Sequence, residues 1–279
     1  MSQQAVFVTG ASSGIGEACA LSLASRGWQV FAGVRHASDG QKLVGKAVGN
    51  QLTPVILDVT KNSAIVEAAR QIRYQLGARG LAGLVNNAGI AVAGPMEFIP
   101  IDKLREQMDV NFIGQVMVTQ EFLPLLRRES GRIVNMSSIS GRIAFPLLGP
   151  YAASKHALEA FTDSLRVELR PWHIHVASVE PGAVSTPIWQ KARQDNATML
   201  ETMPAQTLEL YDGVISAMFK RIQPNQGIAT KYVVNAVVHA LTAKRPKARY
   251  VVGREAKISL WLNRLPVRWR DWLIARSLG

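Results

Sequence analysis

Thr9-Gly10-Ala11-Ser12-Ser13-Gly14-Ile15-Gly16 closes the apolar run Ala5–Thr9 and leads into a helix-period segment, Ile15–Arg26. Three glycines stand where a buried strand gives way to a helix. Gly10 permits the tight turn, Gly14 lets the backbone approach a pyrophosphate, and Gly16 allows close helix–strand packing. The helix N-terminus then points free N–H groups at an anion. Glycines also serve plain turns, but after the first strand of a βαβ unit the pattern points to a dinucleotide.

The same alternation continues outward from this loop. Further strands are predicted at Gln29–Val34, Thr53–Asp58, Gly83–Asn86, Arg132–Ser137, Ile174–Glu180 and Arg249–Val252. Helices are predicted at Ser63–Leu76, Ile101–Arg128 and Pro150–Arg170. Near-continuous apolar strands alternating with helices indicate a parallel sheet buried on both faces. Right-handed crossovers make this an α/β, doubly wound (Rossmann-type) sheet of seven strands flanked by helices on both faces. No linker or repeat interrupts residues 1–279, which read as one domain. The alternation fails over 187–226, which carries Ile188, Trp189, Met199, Leu200, Met203, Leu208, Leu210, Tyr211, Met218 and Phe219. A long insertion here reads as a substrate lid; the plainer alternative is a helical excursion packed on the core.

Composition narrows the class. A chain 48% hydrophobic and 19% charged is not an intrinsically disordered one. The single Cys19 excludes a disulfide framework and a Cys-cluster zinc site. The five histidines have no metal spacing, and His173 and His175 are expected to alternate along a strand. No apolar run is long enough for a transmembrane helix, and Met1-Ser2-Gln3-Gln4 has no basic n-region, so a cytoplasmic location is the expectation. Net charge is +12, from 32 Lys+Arg against 20 Asp+Glu, which alone would admit nucleic acid, acidic lipid or an anionic cofactor. Its distribution is uneven: residues 244–279 hold ten basic and two acidic side chains. Trp261, Trp269 and Trp272 lie there too, and Pro266 is expected to open a last helix at its first position. Residues 256–279 therefore read as a basic amphipathic extension. It would touch a membrane surface, cover the pocket or pack between subunits. No nucleic-acid module accompanies the charge, so no nucleic-acid partner is expected.

The spacing Gly-x-x-x-Gly-x-Gly at Gly10, Gly14 and Gly16 resembles the fingerprint of the short-chain dehydrogenase/reductase family. Asn86-Asn87-Ala88-Gly89 is similar to that family's strand-four motif, and Asn111 falls at its helix-four asparagine. Ser138, Tyr151 and Lys155 match its Ser and Tyr-x-x-x-Lys. Pro181-Gly182-Ala183-Val184-Ser185-Thr186 matches its Pro-Gly segment. The resemblance implies catalytic roles for Asn111, Ser138, Tyr151 and Lys155. Its cofactor-binding set would be Gly10, Ser12, Ser13, Gly14, Ile15, Gly16, Arg35, Asp58, Val59, Asn87, Ala88, Gly89, Tyr151, Lys155, Pro181, Gly182, Val184 and Thr186. It also implies a homodimer or homotetramer.

Two parts of this reading rest on side-chain chemistry. An acidic residue at the end of strand two would accept hydrogen bonds from a ribose 2′-OH, whereas arginine suits a 2′-phosphate. Val34-Arg35 stands there, so NADP(H) is expected; Ser13 departs from the second basic residue that many NADP-type relatives carry in the glycine loop. Tyr151 and Lys155, four apart on a helix, share a face. An adjacent ammonium is expected to lower the phenol pKa towards neutrality. The resemblance further implies that Ser138 holds the substrate oxygen, Tyr151 exchanges the proton and Lys155 holds the ribose. The expected reaction interconverts a secondary alcohol and its carbonyl. The apolar lid and tryptophan-rich end suggest a bulky hydrophobic substrate, as in the hydroxysteroid/retinol dehydrogenase-like branch. A 3-oxoacyl or xenobiotic carbonyl reductase is the alternative of the same class. A non-catalytic NADPH-binding regulator or membrane-docked scaffold is the alternative of another.

Overall fold

A computed structural model describes residues 3–221 and 227–276; positions 222–226 of the lid stretch and the chain ends lie outside it, as do the side chains of Trp189 and Phe219. The strands are β1 (Ala5–Val8), β2 (Gln29–Val34), β3 (Leu52–Ile56), β4 (Gly83–Asn86), β5 (Arg132–Met136), β6 (His175–Pro181) and β7 (Arg249–Val252). They form one parallel sheet in the order β3-β2-β1-β4-β5-β6-β7. The helices are α1 (Gly14–Ser25), α2 (Ala37–Lys46), α3 (Asn62–Leu76), α4 (Ile101–Met108), α5 (Gly114–Arg128) and α6 (Gly149–Glu168). They continue as α7 (Pro187–Glu201), α8 (Gln206–Arg221), α9 (Thr230–Thr242), α10 (Arg254–Leu262) and α11 (Val267–Arg276).

Alternation along each strand divides the core. Val6, Val8, Val30, Ala32 and Val134 face α1 and α9, where Ala20, Leu23, Val233 and Val237 cover them. Phe7, Phe31, Leu84, Ile133 and Val176 face α3, α5 and α6. Phe7 and Phe122 stack there with ring centroids 4.6 Å apart. Cys19 is buried in the first of these layers, and burial pushes its thiol up to about 12, so it serves as a small apolar filler.

Three local readings of the sequence are corrected. The single helix expected over Ile101–Arg128 is interrupted by a π-turn at Asp109–Ile113. His173 does not share a strand with His175. It ends a 3-10 turn with φ +55°, and β6 begins two residues later. Pro266 lies just before α11 rather than at its first position, because its carbonyl accepts the opening helical bond from Arg270 N–H at 3.1 Å.

Candidate active site

The carboxyl ends of β1 to β6 open on one cleft of about 750 Å³, the edge at which open α/β sheets bind ligands. Every sequence-expected site residue lines it except Gly16 and Asn111. At the β1 end the backbone itself is the wall. Gly10 and Gly14 have φ of +63° and +60°, a region that disfavours side chains. A Cβ on Gly10 would sit 2.7 Å from Ala88 Cα, and one on Gly16 would sit 2.2 Å from the Gly10 carbonyl oxygen. Gly16 therefore acts behind the loop, as a packing residue. Thr9 and Asn87 stitch this loop to the β4 end. Thr9 Oγ1 accepts from Asn87 N–H at 2.9 Å and Ala88 N–H at 3.1 Å, while Asn87 Nδ2 donates to the Thr9 and Gly10 carbonyls. The Ser13 side chain does not cap α1. A phosphate fits here, since bare backbone and the free N–H groups of a helix start face the cleft.

Farther along the edge, Arg35 and Asp58 line the same cleft. Burial alone would raise Asp58, but two hydrogen bonds from Thr60, with Lys61 and Arg35 nearby, hold it below the ordinary carboxylate range. An anionic Asp58 with the Arg35 guanidinium in the same cleft suits an adenosine with a phosphorylated ribose.

The opposite end gathers Ser138, Tyr151 and Lys155. Ser138 caps the 3-10 turn Ile139–Gly141, its Oγ accepting from Ser140 N–H at 3.1 Å. It also hydrogen-bonds Tyr151. Tyr151 and Lys155 lie one turn apart on α6, with Lys155 Nζ 5.8 Å from the Tyr151 ring centre and donating to the Met136 carbonyl at 2.8 Å. Both side chains are buried. Burial raises the phenol above its usual value, opposed by the Ser138 bond. The expectation that Lys155 lowers Tyr151 is therefore corrected for this state. Burial also lowers the ammonium, to about 8, leaving it a weaker influence.

Asn111 sits in the π-turn rather than on the cleft wall. Its Oδ1 accepts from Ile90 N–H at 2.8 Å, and its Nδ2 donates to the Ile90 carbonyl at 3.0 Å and to Ser154 Oγ at 3.2 Å. It thus braces the loop after β4 against α6, and π-turns recur at such places. Asn111→Leu would leave the part-buried Ile90 N–H without its acceptor and the Ile90 carbonyl with Gln107 Nε2 alone, at 3.0 Å. Thermal unfolding should register a loss of roughly 1–3 kcal/mol; an unchanged transition would contradict this bracing role.

The sequence reading missed two residues, Asn196 and Glu159, and named Met199 and Met203 without their partners. Asn196 of α7 accepts from Ala93 N–H at 3.1 Å and donates to the Ala91 carbonyl at 3.3 Å, pinning the expected lid to the loop after β4. Met199 and Met203 meet Val92 and Ile99 beneath it. Glu159, one turn beyond Lys155, is buried with Arg249 Nη2 3.4 Å from its carboxylate. Burial raises Glu159, as does neighbouring Glu180, against Ser137 and Arg249. None was signalled by a motif; only the i, i+4 step from Lys155 to Glu159 was there to be read.

A family model described as short chain dehydrogenase matches residues 4–197. This chain belongs to the short-chain dehydrogenase/reductase family. Within that family it is 38% identical over 281 residues to 17-beta-hydroxysteroid dehydrogenase type 6 of Bos taurus, covering 98% of this chain and 88% of that one. It is 35% identical over 279 residues to an NADPH-dependent 3-dehydrocapnine reductase of Ornithobacterium rhinotracheale, covering 97% and 96%. A solved short chain dehydrogenase from Burkholderia cenocepacia J2315 in complex with NADP superposes with a TM-score of 0.73 at 28% identity, covering 100% of this chain and 98% of that one. Similarity of this length places the chain with the hydroxysteroid/retinol dehydrogenase-like members of the family of oxidoreductases.

Proposed function

We propose that this protein is an NADP(H)-dependent oxidoreductase that interconverts a secondary alcohol and its carbonyl on a bulky hydrophobic substrate, steroid-, retinoid- or lipid-like. One observation carries the reading. A single cleft joins Arg35 and the bare glycine loop to Ser138, Tyr151 and Lys155 beneath α7. β2 and β5 are three strand steps apart, roughly 14 Å at about 4.8 Å each. That span suits a dinucleotide lying across the sheet edge. The NADPH-dependent and NADP-bound relatives support this cofactor, and the steroid-named relative supports the substrate class.

Bound here, the nicotinamide supplies or accepts the hydride. The protein does the remainder. The glycine loop and the start of α1 hold the pyrophosphate, Arg35 the 2′-phosphate, and Lys155 the nicotinamide ribose. Val184 and Thr186 flank the nicotinamide end. Ser138 donates a hydrogen bond to the substrate oxygen and positions it against Tyr151. In reduction the phenol gives its proton to that oxygen, and in oxidation it takes the proton back. Ile188, Ala192 and Met199 of α7 give the substrate end an apolar wall. NADPH consumption across steroid, retinoid, quinone and acyl carbonyls tests the reading. Large apolar ketones should turn over best. Tight NADPH binding without turnover on any carbonyl would overturn it.

The same electrostatics give a pH prediction. Lys155 keeps its charge below about 8 and loses it above. NADPH-driven reduction should therefore decline with an alkaline limb near that pH. Glu159 favours the ammonium, so Glu159→Gln should move the limb to lower pH while leaving acidic-side turnover largely intact. An unmoved limb would contradict the coupling.

A further inference from the structure

The two last helices turn large apolar side chains towards solvent. Ile258 and Trp261 on α10, and Val267, Trp269, Trp272 and Leu273 on α11, are all exposed, with Trp269 at 70% and Trp272 at 57%. No residue of α11 is buried. At 3.6 residues per turn, Trp269, Trp272, Leu273 and Arg276 fall on one side. The partly covered Arg270 and Ile274 fall on the other. A helix packed on a water-soluble body normally does the reverse and hides its aromatic side. Cations surround the exposed face: residues 254–276 carry six basic and two acidic side chains. Arg264, Arg268 and Arg276 are exposed, and the Arg276 guanidinium lies 5.2 Å from the Trp272 ring centre.

We propose that this face of α10 and α11 docks the protein on an anionic phospholipid bilayer, with the tryptophans and Leu273 entering the headgroup boundary and the arginines meeting the lipid phosphates. Tryptophan at the boundary with arginine beside it is the composition such an interface favours. The charge also argues against a second copy as the occupant. A twofold interface sets a patch against itself, so this basic face would meet an equally basic one.

The dock stands beside the cleft. β7 ends at Val252 and α10 begins at Arg254, which puts α10 at the same carboxyl edge of the sheet. Ala256 packs on Gly182 of the cleft wall, its Cβ 3.2 Å from where a Gly182 Cβ would be. Asn263 Nδ2 donates to the Arg142 carbonyl at 2.7 Å, just past the turn that Ser138 caps. In turn Asn263 Oδ1 accepts from Arg270 Nη1 at 3.1 Å, bracing α11 to α10. A bilayer seated on this face therefore lies at the sheet edge that the cleft opens on, where a lipid-soluble substrate would leave the membrane.

Co-sedimentation of the full chain with sucrose-loaded vesicles tests the dock. Wild type should pellet with phosphatidylcholine vesicles containing about one-third phosphatidylglycerol, pellet poorly with phosphatidylcholine alone, and be released by salt. Trp269→Ala/Trp272→Ala should weaken partitioning about tenfold or more through lost apolar contact. Arg264→Gln/Arg268→Gln/Arg276→Gln should abolish the preference for anionic vesicles. Both variants change exposed side chains and should keep wild-type NADPH consumption in solution, which separates this test from that of the catalytic reading. Wild type remaining in the supernatant with anionic vesicles, or unchanged binding by both variants, would overturn the proposal. So would a wild-type oligomer in analytical ultracentrifugation that the tryptophan variant dissociates, since the face would then lie between copies.

Discussion

Tyr151→Phe is expected to lower turnover by roughly 100- to 10,000-fold, the range typical of losing a general acid, while NADPH affinity stays essentially unchanged. The substitution removes one oxygen from a buried side chain on α6 and keeps the ring that packs with Ala91 and Ala192. The fold and the cofactor end of the cleft should therefore survive. What would be lost is the proposed proton donor beside Ser138. Burial holds the phenol protonated well past neutral pH, which is the state reduction requires. Single-turnover rates with a responsive carbonyl, paired with fluorescence titration of NADPH, check the split. Turnover retained in the variant would remove Tyr151 from the chemistry; lost binding would make its role structural.

Arg35→Ala should have the second largest effect, and on one cofactor only. A charge-assisted pair between guanidinium and phosphate contributes roughly 1.5–3 kcal/mol, so kcat/KM for NADPH should fall roughly 10- to 100-fold. NADH lacks the 2′-phosphate and should be used as before. The neighbouring Asp58 would lose one of the cations that lower it, a small change because Thr60 and Lys61 remain. An equal fall with both cofactors would mean that Arg35 shapes the cleft instead of reading the phosphate.

The strands and the glycine loop were legible because their signals are local. Val-, Ile- and Phe-rich runs mark buried parallel strands, and Gly10 and Gly14 adopt the positive φ that their spacing implies. α2 and α9 escaped notice for physical reasons. α2 contains Gly40 and Gly45, poor helix formers. α9 is rich in β-branched Val233, Val234, Val237 and Val238, and its packing against α1 and the sheet overrides that propensity. The site motifs foretold which residues meet at the cleft. They did not foretell that Asn111 would lie behind it in a π-turn, or that burial would raise Tyr151. Both depend on contacts between distant segments, Ile90 with Asn111 and Ala91 and Ala192 with Tyr151, that no local pattern encodes. The basic excess near the C-terminus was visible in the sequence, but the outward turn of Trp269 and Trp272 was not.

In the proposed reaction this cleft passes a hydride from a bound nicotinamide to a hydrophobic carbonyl whose oxygen is protonated by Tyr151. Reduction of a large apolar ketone with NADPH deuterated at the transferred position of C4, followed by mass spectrometry of the alcohol, tests it most directly. One deuterium is expected at the carbinol carbon with wild type, and almost no labelled alcohol with Tyr151→Phe. Oxidation of the cofactor with no deuterium in the alcohol, or equal labelling by the Tyr151→Phe variant, would contradict it.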